Sequence, residues 1–240
     1  MTMPLFNDFF PSSVLAFTSR RPVDFTLRDG RTALNKKQKE YLRSELETDL
    51  PAPALIRQVH GHAIIDAGQR RDRLLKKADG LMTKEPLLPL VVRTADCLPV
   101  FLFDAHREGI GLLHAGWRGA REQIAPQAVR LMCSRWETKP ADIKIVLGPA
   151  IRPCCYEVGK EFCAYFPVDV SLKGTKYYLD LPKAVSDQLI ALGVPKDNIH
   201  DCQICTCCDK NYFIDNPFHG KPSHVQTYAH INAFLPECWL

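Results

Sequence analysis

The 240-residue sequence contains no long hydrophobic run and no block of like charge. No stretch approaches the ~18 consecutive apolar residues of a membrane-spanning helix, so we expect no interaction with a membrane. The net charge at pH 7 is +4 and the basic residues are scattered, which argues against a nucleic-acid partner. Residues 1–17 lack the cationic start of a signal peptide, and we therefore expect a cytoplasmic protein.

Cysteine, by contrast, is abundant, with ten residues. Without an export signal, this number indicates reduced thiols, some of them metal ligands, rather than a set of disulfides. The adjacent Cys154 and Cys155 are poorly placed for a mutual disulfide. Overlapping Cys-x-x-Cys spacing occurs in one short segment, which contains Cys202, Cys205, Cys207 and Cys208. That spacing permits a second metal site or a redox pair. Because no second pair of ligands accompanies the segment, we expect its thiols to be reduced and free of metal.

Short apolar runs bounded by proline, glycine or aspartate predict buried strands, and amphipathic patterns predict helices. The predicted strands are near residues 13–18, 54–59, 63–67, 87–92, 100–103, 110–113, 143–147, 177–181 and 199–205. The predicted helices are 32–47 (with Thr32 as N-cap), 118–136, 158–166 and 181–192, and residues 68–77 are predicted to be a charged loop. Strands and helices alternate without a repeat, which predicts a single α/β domain over residues 1–240.

Three residues at the ends of predicted strands form a candidate site, which we call the triad: His60, Cys97 and His114. Two imidazoles and a thiolate are a three-ligand set for Zn²⁺ with a fourth position open, as in catalytic zinc sites. Without metal, an imidazole beside Cys97 would lower the thiol pKa and create a nucleophile. The third alternative is a buried thiol with unrelated surface imidazoles. Separations of 37 and 17 positions match no compact zinc motif, so spacing alone does not decide.

Polar residues beside the triad have roles that chemistry permits. Asp96 can orient a ligand imidazole or move protons, or can simply cap the turn after a strand. Arg93 and Arg118 can hold phosphate or stabilise an oxyanion, or form surface salt bridges. Arg118 also opens a predicted helix, where backbone N–H groups favour anions. Trp117 can stack on a base or pack in the core.

Five sequence motifs resemble, in this order, those of the YfiH-like laccase-domain family. They are residues 58–61 (QVHG), 78–83 (ADGLMT), 93–100 (RTADCLPV), 114–119 (HAGWRG) and 148–151 (GPAI), continued by 156–159 (YEVG) and 205–206 (CT). The match covers roughly residues 55–206. The resemblance implies a layered α/β/β/α sandwich with mixed sheets and zinc bound by His60, Cys97 and His114. Together with the chemical roles given above for Asp96 and Arg118, it makes Cys97, Asp96 and Arg118 the candidate catalytic residues.

The resemblance also implies the substrate class. Members of the family are linked to phosphorolysis of adenosine, inosine or methylthioadenosine and to adenosine deamination, which implies a purine nucleoside and phosphate as small-molecule substrates. Some bacterial members are linked to editing of peptidoglycan precursors, which is the alternative activity. A second alternative is a zinc-binding member of the family with a degenerate substrate pocket. A copper polyphenol oxidase is the least favoured, because multicopper chemistry needs many more imidazoles than the triad has.

The chain departs from the family pattern at both ends. A Ser-Leu-Asn-Leu-Gly stretch and an Asp-Asn-Arg region are usual near the N-terminus, but residues 23–35 are shortened and lack them. An arginine-rich run is usual near the C-terminus, but residues 212–228 contain no arginine. If those arginines bind substrate, this protein has a weakened or altered activity unless Lys221, His219 or His224 replaces them.

Overall fold

In the computed structural model of the protein, the apolar runs form strands that assemble into three sheets. The structure describes residues 6, 9–11, 14–19, 35–40, 53–68, 74–86, 88–209 and 230–236. Its strands are β1 (Val14–Thr18), β2 (Ala54–Arg57), β3 (Ile64–Asp66), β4 (Leu74–Lys77), β5 (Gly80–Thr83), β6 (Leu90–Thr94), β7 (Leu98–Asp104), β8 (Gly109–Ala115), β9 (Ile143–Leu147), β10 (Glu157–Val158), β11 (Val170–Lys173), β12 (Lys176–Leu179), β13 (Ile199–Asp201) and β14 (His230–Pro236). Its helices include α1 (Trp117–Arg121), α2 (Ile124–Trp136), α3 (Phe162–Tyr165) and α4 (Leu181–Ala191), with 3₁₀ turns at Pro140–Asp142 and Lys196–Asn198.

The six-stranded sheet, in the order β13-β9-β7-β8-β5-β3, carries most of the triad. Its middle strands β7 and β8 are antiparallel, in register from Leu98 opposite Ala115 to Asp104 opposite Gly109. Every residue of both strands is buried, because both faces of this sheet are covered. The outer strands β13 and β3 run parallel to β9 and β5, so the sheet is mixed.

The five-stranded sheet, in the order β1-β14-β6-β2-β4, brings the first and last strands side by side. β1 is antiparallel to β14, from Val14 opposite Pro236 to Thr18 opposite Asn232. β6 is antiparallel to β14 and parallel to β2. A small third sheet, β10-β12-β11, lies beyond these two.

Two hydrophobic clusters cover the two faces of the six-stranded sheet. Phe101 and Leu112 belong to the cluster that faces the five-stranded sheet. Their chain neighbours Leu102 and Leu113 belong to the cluster under α2 and α4, as the alternation of side chains along a strand requires. The described layers are therefore helix, sheet and sheet, and the predicted α/β class with mixed sheets is confirmed.

The predicted helix at 32–47 is described only in part. Residues 36–40 are helical, and the helix begins after Asn35 instead of after Thr32. The Asn35 backbone N–H donates to the Gln38 side chain at 2.9 Å, and the Gln38 N–H donates to the Asn35 side chain at 3.0 Å. This reciprocal pair is a capping box, which satisfies N–H groups at a helix start.

The predicted helix at 118–136 is wrong as a single element, because the chain forms α1 and α2 there. Gln123 has a left-handed backbone, φ 59°, which ends the first helix and turns the chain. Pro126 then falls in the first turn of α2, where its missing N–H costs nothing. Gly119 allows α1 to lie close to the loop at Gly61, since a Cβ at position 119 would lie 2.6 Å from the carbonyl oxygen of Gly61.

Two further predictions need correction. The charged loop at 68–77 contains β4, an edge strand parallel to β2 with Lys77 exposed, and charge is typical of protected sheet edges. The helix predicted at 158–166 is only Phe162–Tyr165 in the structure, because Glu157–Val158 forms a strand that pairs with β12. None of the helices within the described ranges is long and apolar enough to span a membrane.

Candidate active site

The structure brings the three triad residues together from three parts of the chain. His60 follows β2, Cys97 precedes β7, and His114 lies near the end of β8. One ligand atom from each lies within 4.8 Å of the others, and the two imidazole centroids are 4.7 Å apart. Cys97 and His114 come from adjacent strands, because Pro99, two positions after Cys97, pairs with His114. His62, which shares the QVHG neighbourhood, is exposed.

A buried carboxylate, Asp79, holds two of these residues in place. Its Oδ1 lies 2.8 Å from Nδ1 of His114. The same side chain accepts the backbone N–H groups of His60 at 2.9 Å and Gly61 at 2.8 Å. These hydrogen bonds fix the loop that carries His60, whose backbone is left-handed at φ 59°. Asp79 lies in the ADGLMT motif, but nothing in its spacing assigned it a role.

The ionisation of Asp79 determines which nitrogen of His114 is available. Burial would raise the pKa of Asp79, but the hydrogen bond with His114 and those from Gly61 and Val59 lower it overall. An ionised carboxylate only accepts hydrogen bonds, so Nδ1 of His114 carries the proton. Nε2 is then the atom left for a ligand bond, which is the usual carboxylate–histidine arrangement at metal sites.

Cys97 and His114 shift each other's pKa values. Burial would raise the pKa of the Cys97 thiol, but hydrogen bonds with His114 and His60 lower it to about 7. Burial would lower the pKa of His114, but hydrogen bonds with Asp79 and Cys97 raise it to about 9. The thiolate, which is the form that binds metal, is therefore well populated at neutral pH. A cation would displace the remaining proton on His114.

Gly116 leaves space for the side chains of the triad, because it has no side chain of its own. A Cβ at this position would lie 3.1 Å from Sγ of Cys97 and 3.3 Å from Cδ2 of His60. Any side chain here would push against two candidate ligands, which explains why the HAGWRG motif has glycine directly before α1.

Cys97 of the triad lines a cavity of 610 Å³, which is the size of many small-molecule sites. The lining residues are Asp96, Cys97, Trp117, Ile151, Cys155, Tyr156, Glu157, Val158, Gly159, Phe162 and Leu181. Trp117 forms one aromatic wall, with its ring centroid 5.0 Å from that of Phe162. Trp117 also packs against the core beneath it, so both of its predicted roles are compatible with its position.

Asp96 lies beside Cys97 in this cavity and is held by hydrogen bonds. Thr206 Oγ1 donates to its carboxylate at 2.8 Å, and the Ile151 N–H donates to its carbonyl at 3.0 Å. The carboxylate that contacts the His114 imidazole is Asp79, whereas a proton-transfer role for Asp96 stays a prediction. Tyr156 lies close enough to Cys97 and Asp96 to interact with their charges. Burial, and then these two charges, raise the pKa of Tyr156.

The two predicted anion-binding arginines differ in position. The Arg118 guanidinium is exposed and lies 4.4 Å from the Trp117 ring centroid at the cavity wall. Helix α1 has only five residues, so the anion argument rests on the side chain and not on the helix terminus. Arg93 is half-buried, and burial lowers its pKa. Its backbone exchanges hydrogen bonds of 2.7 and 2.9 Å with the Gln58 side chain, which joins β6 to the His60 loop.

Comparison with known proteins agrees with this geometry. The family described as "Multi-copper polyphenol oxidoreductase laccase" matches residues 22–214, which is more than half of the chain. The protein belongs to this family. As a laccase-domain protein, it closely resembles the crystal structure of Bacillus licheniformis hypothetical protein YfiH. The TM-score is 0.83 at 25% identity, over 98% of this chain and 97% of that one. The family resemblance inferred from the motifs is confirmed.

Relatives of this laccase-domain protein carry names from purine nucleoside chemistry. "Purine nucleoside phosphorylase YlmD" of Geobacillus stearothermophilus is 36% identical over 147 residues, which cover 58% of this chain and 54% of that protein. The match thus spans about half the length of that relative. "Adenosine deaminase RL5" from an unknown prokaryotic organism is 33% identical over 189 residues, 72% of each chain. The family therefore includes enzymes that act on purine nucleosides.

A second group of converging ligands, which we call the cysteine cluster, lies next to the cavity. Its members are Cys154, Cys155, Cys205 and Cys208. The expectation of metal-free thiols at 202–208 rested on a missing second pair of ligands. The structure supplies that pair from the distant residues 154–155, whose position beside the 202–208 segment no sequence pattern predicted.

Proposed function

We propose that the protein is a zinc-dependent enzyme acting on purine nucleosides. The reaction is phosphorolysis of adenosine, inosine or methylthioadenosine, deamination of adenosine, or both. The observation that carries the proposal is the triad, which Asp79 holds and whose Cys97 lines a 610 Å³ cavity. The names of the relatives support the substrate class.

The triad residues would hold the zinc ion through the Cys97 thiolate, Nε2 of His114 and the His60 imidazole. This mixture of sulfur and nitrogen suits Zn²⁺ and not Mg²⁺ or Ca²⁺, which prefer oxygen. Within the described part of the chain, the triad is the one group of three or more converging ligands that includes histidine. It therefore fits a single ion better than the several copper ions in the family's description. When bound, zinc lowers the pKa of a coordinated water and polarises a substrate group.

The cavity walls bind and orient the nucleoside. Trp117 and Phe162 present aromatic surface against which a purine stacks. Asp96, fixed by Thr206, accepts or returns a proton beside Cys97. Arg118, whose guanidinium lies 4.4 Å from the Trp117 ring centroid, pairs with phosphate, since a guanidinium fits two phosphate oxygens at once.

A nucleoside panel tests this proposal. The full chain, loaded with zinc, is incubated with adenosine, inosine and methylthioadenosine, with and without phosphate, and free base and ammonia are both measured. Phosphate-dependent release of base indicates phosphorolysis, and phosphate-independent release of ammonia indicates deamination. Cys97→Ala should abolish either signal, whereas Cys133→Ala, a thiol on α2, should keep it. Equal, background-level signals in all three proteins would refute the proposal.

We also propose that residues 1–240 make up one domain of this family. The pairing of β1 with β14 supports it, because the first and last described strands complete the same five-stranded sheet.

A further inference from the structure

We propose that the cysteine cluster binds a second Zn²⁺ ion, in a structural tetrathiolate site that ties together two loops of the active-site wall. Four protein ligands close the coordination sphere, which is the arrangement of structural zinc sites. The inference is independent of the nucleoside chemistry proposed above, because it rests only on the positions of the four thiols.

The separations of the sulfur atoms fit a zinc tetrathiolate. Sγ of Cys154 lies 3.5 Å from Sγ of Cys205 and 3.7 Å from Sγ of Cys208. Sγ of Cys155 lies 3.3 Å from Sγ of Cys208. Zinc–sulfur bonds of ~2.3 Å would place the sulfurs of a tetrahedron roughly 3.8 Å apart. The observed distances are close to that edge and far beyond the ~2.05 Å of a disulfide bond. An iron–sulfur cubane would spread the sulfurs further, since each cysteine binds a different iron.

An ion pair between side chains and contacts between backbones hold the two cysteine-bearing loops together. Arg152 Nη1 donates to Oδ2 of Asp201 at 2.6 Å. Ala150 and Cys205 form a parallel bridge, and the Thr206 N–H donates to the Ala150 carbonyl at 3.1 Å. The scaffold thus brings the thiols together before any ion arrives, and a preorganised site binds more tightly.

Four thiolates so close together require a cation between them. The four sulfur atoms of the cluster lie within 4.8 Å of one another. Like charges repel at this distance, so the four thiols cannot all ionise while no cation is bound. A divalent ion removes that repulsion and lets the thiols deprotonate.

The location of the cluster gives the ion a positioning role. Cys155 and Tyr156 line the active-site cavity together. Thr206, next to Cys205, donates the hydrogen bond that holds Asp96. A zinc ion at the cluster would therefore stiffen one cavity wall and the support of Asp96 at the same time.

Elemental analysis of the full chain, purified without chelator, tests the proposal. We expect about two zinc ions per chain, one in the triad and one in the cluster. Cys208→Ser should lower the count to about one, whereas Cys207→Ser should leave it unchanged, because Cys207 is adjacent but outside the cluster. Cys97→Ala should also lower the count to about one, by emptying the triad.

A second measurement keeps the test decisive if Cys208→Ser does not fold. In His114→Ala loaded with Co²⁺, the triad is broken, and the absorption spectrum should still show the charge-transfer bands of a tetrahedral tetrathiolate. Loss of those bands, a zinc count that does not fall in Cys208→Ser, iron in place of zinc, or a native mass that reports disulfides would overturn the proposal.

Discussion

The triad and the cysteine cluster place similar ligand types beside the same cavity, yet their surroundings differ. The triad combines one sulfur with two nitrogens, is oriented by the buried carboxylate of Asp79, and has three members. The cluster has four sulfurs, and backbone contacts between two loops hold them. A three-ligand site leaves room for water or substrate, whereas a four-ligand site is closed. This difference is the reason why we propose chemistry at the triad and support of the cavity wall at the cluster.

Loss of a triad ligand should have the largest effect. His114→Ala should reduce kcat/KM for nucleosides at least about 100-fold, because even changes in residues that merely orient metal ligands cost 10–100-fold. Zinc analysis should show that the cluster keeps its ion. Full zinc content in both His114→Ala and Cys97→Ala would contradict the assignment of the triad.

Asp79→Asn should weaken zinc binding at the triad about 10–100-fold, since an amide cannot hold Nδ1 of His114 as a carboxylate does. Competition with a chelator measures this affinity. Asp96→Asn is the matched control and should leave the affinity unchanged. The opposite pattern would move the orienting role from Asp79 to Asp96.

Arg118→Ala should raise KM for phosphate or nucleoside by about 10–100-fold, the equivalent of roughly 1.5–3 kcal/mol for a charge-assisted hydrogen bond. Arg121→Ala is the control, because this exposed arginine also lies near the Trp117 ring, 6.0 Å from its centroid. A variant that melts early and binds normally would show that Arg118 is structural.

Phosphorolysis by this protein should be at least about ten-fold weaker than in a family member with the C-terminal arginines. A ten-fold loss corresponds to only about 1.4 kcal/mol of transition-state stabilisation. Residues 212–228 lie outside the described part of the chain, so the prediction rests on sequence alone. Equal kcat/KM values for adenosine and inosine with phosphate would show that another group, such as Lys221 or His219, replaces the arginines.

The smallest expected effect is a shift in the pH at which the Cys97 thiol becomes half-reactive toward an alkylating reagent. In metal-free protein, alkylation of Cys97 should follow its thiolate, which forms as pH rises through about 7 and not through the ordinary 9.0. Cys133 is the internal control, because burial, with the nearby Asp104 charge, raises the pKa of its thiol. Peptide-resolved mass spectrometry measures both rates. A common midpoint for the two thiols would contradict the His114 and His60 contacts.

Strands and helices whose own residues show an apolar run or an amphipathic pattern were predicted well. The buried strands β7, β8 and β9 follow from apolar runs between turn residues, and α4 follows from its amphipathic pattern before Gly193. The break between α1 and α2 had no such signal, since Gln123 is an unusual residue for a left-handed backbone. The strand β4 was missed because its charged residues fit an edge strand as well as a loop.

Residue types and motifs along the chain were enough to predict the alternation of strands and helices, the family, and the three members of the triad. The hydrogen bond between Asp79 and His114, and the meeting of Cys154 and Cys155 with Cys205 and Cys208, became visible only in the folded protein. These contacts join residues 35 to 54 positions apart. No local pattern encodes such pairs, because they arise when separate strands and loops pack against one sheet and bring distant side chains together.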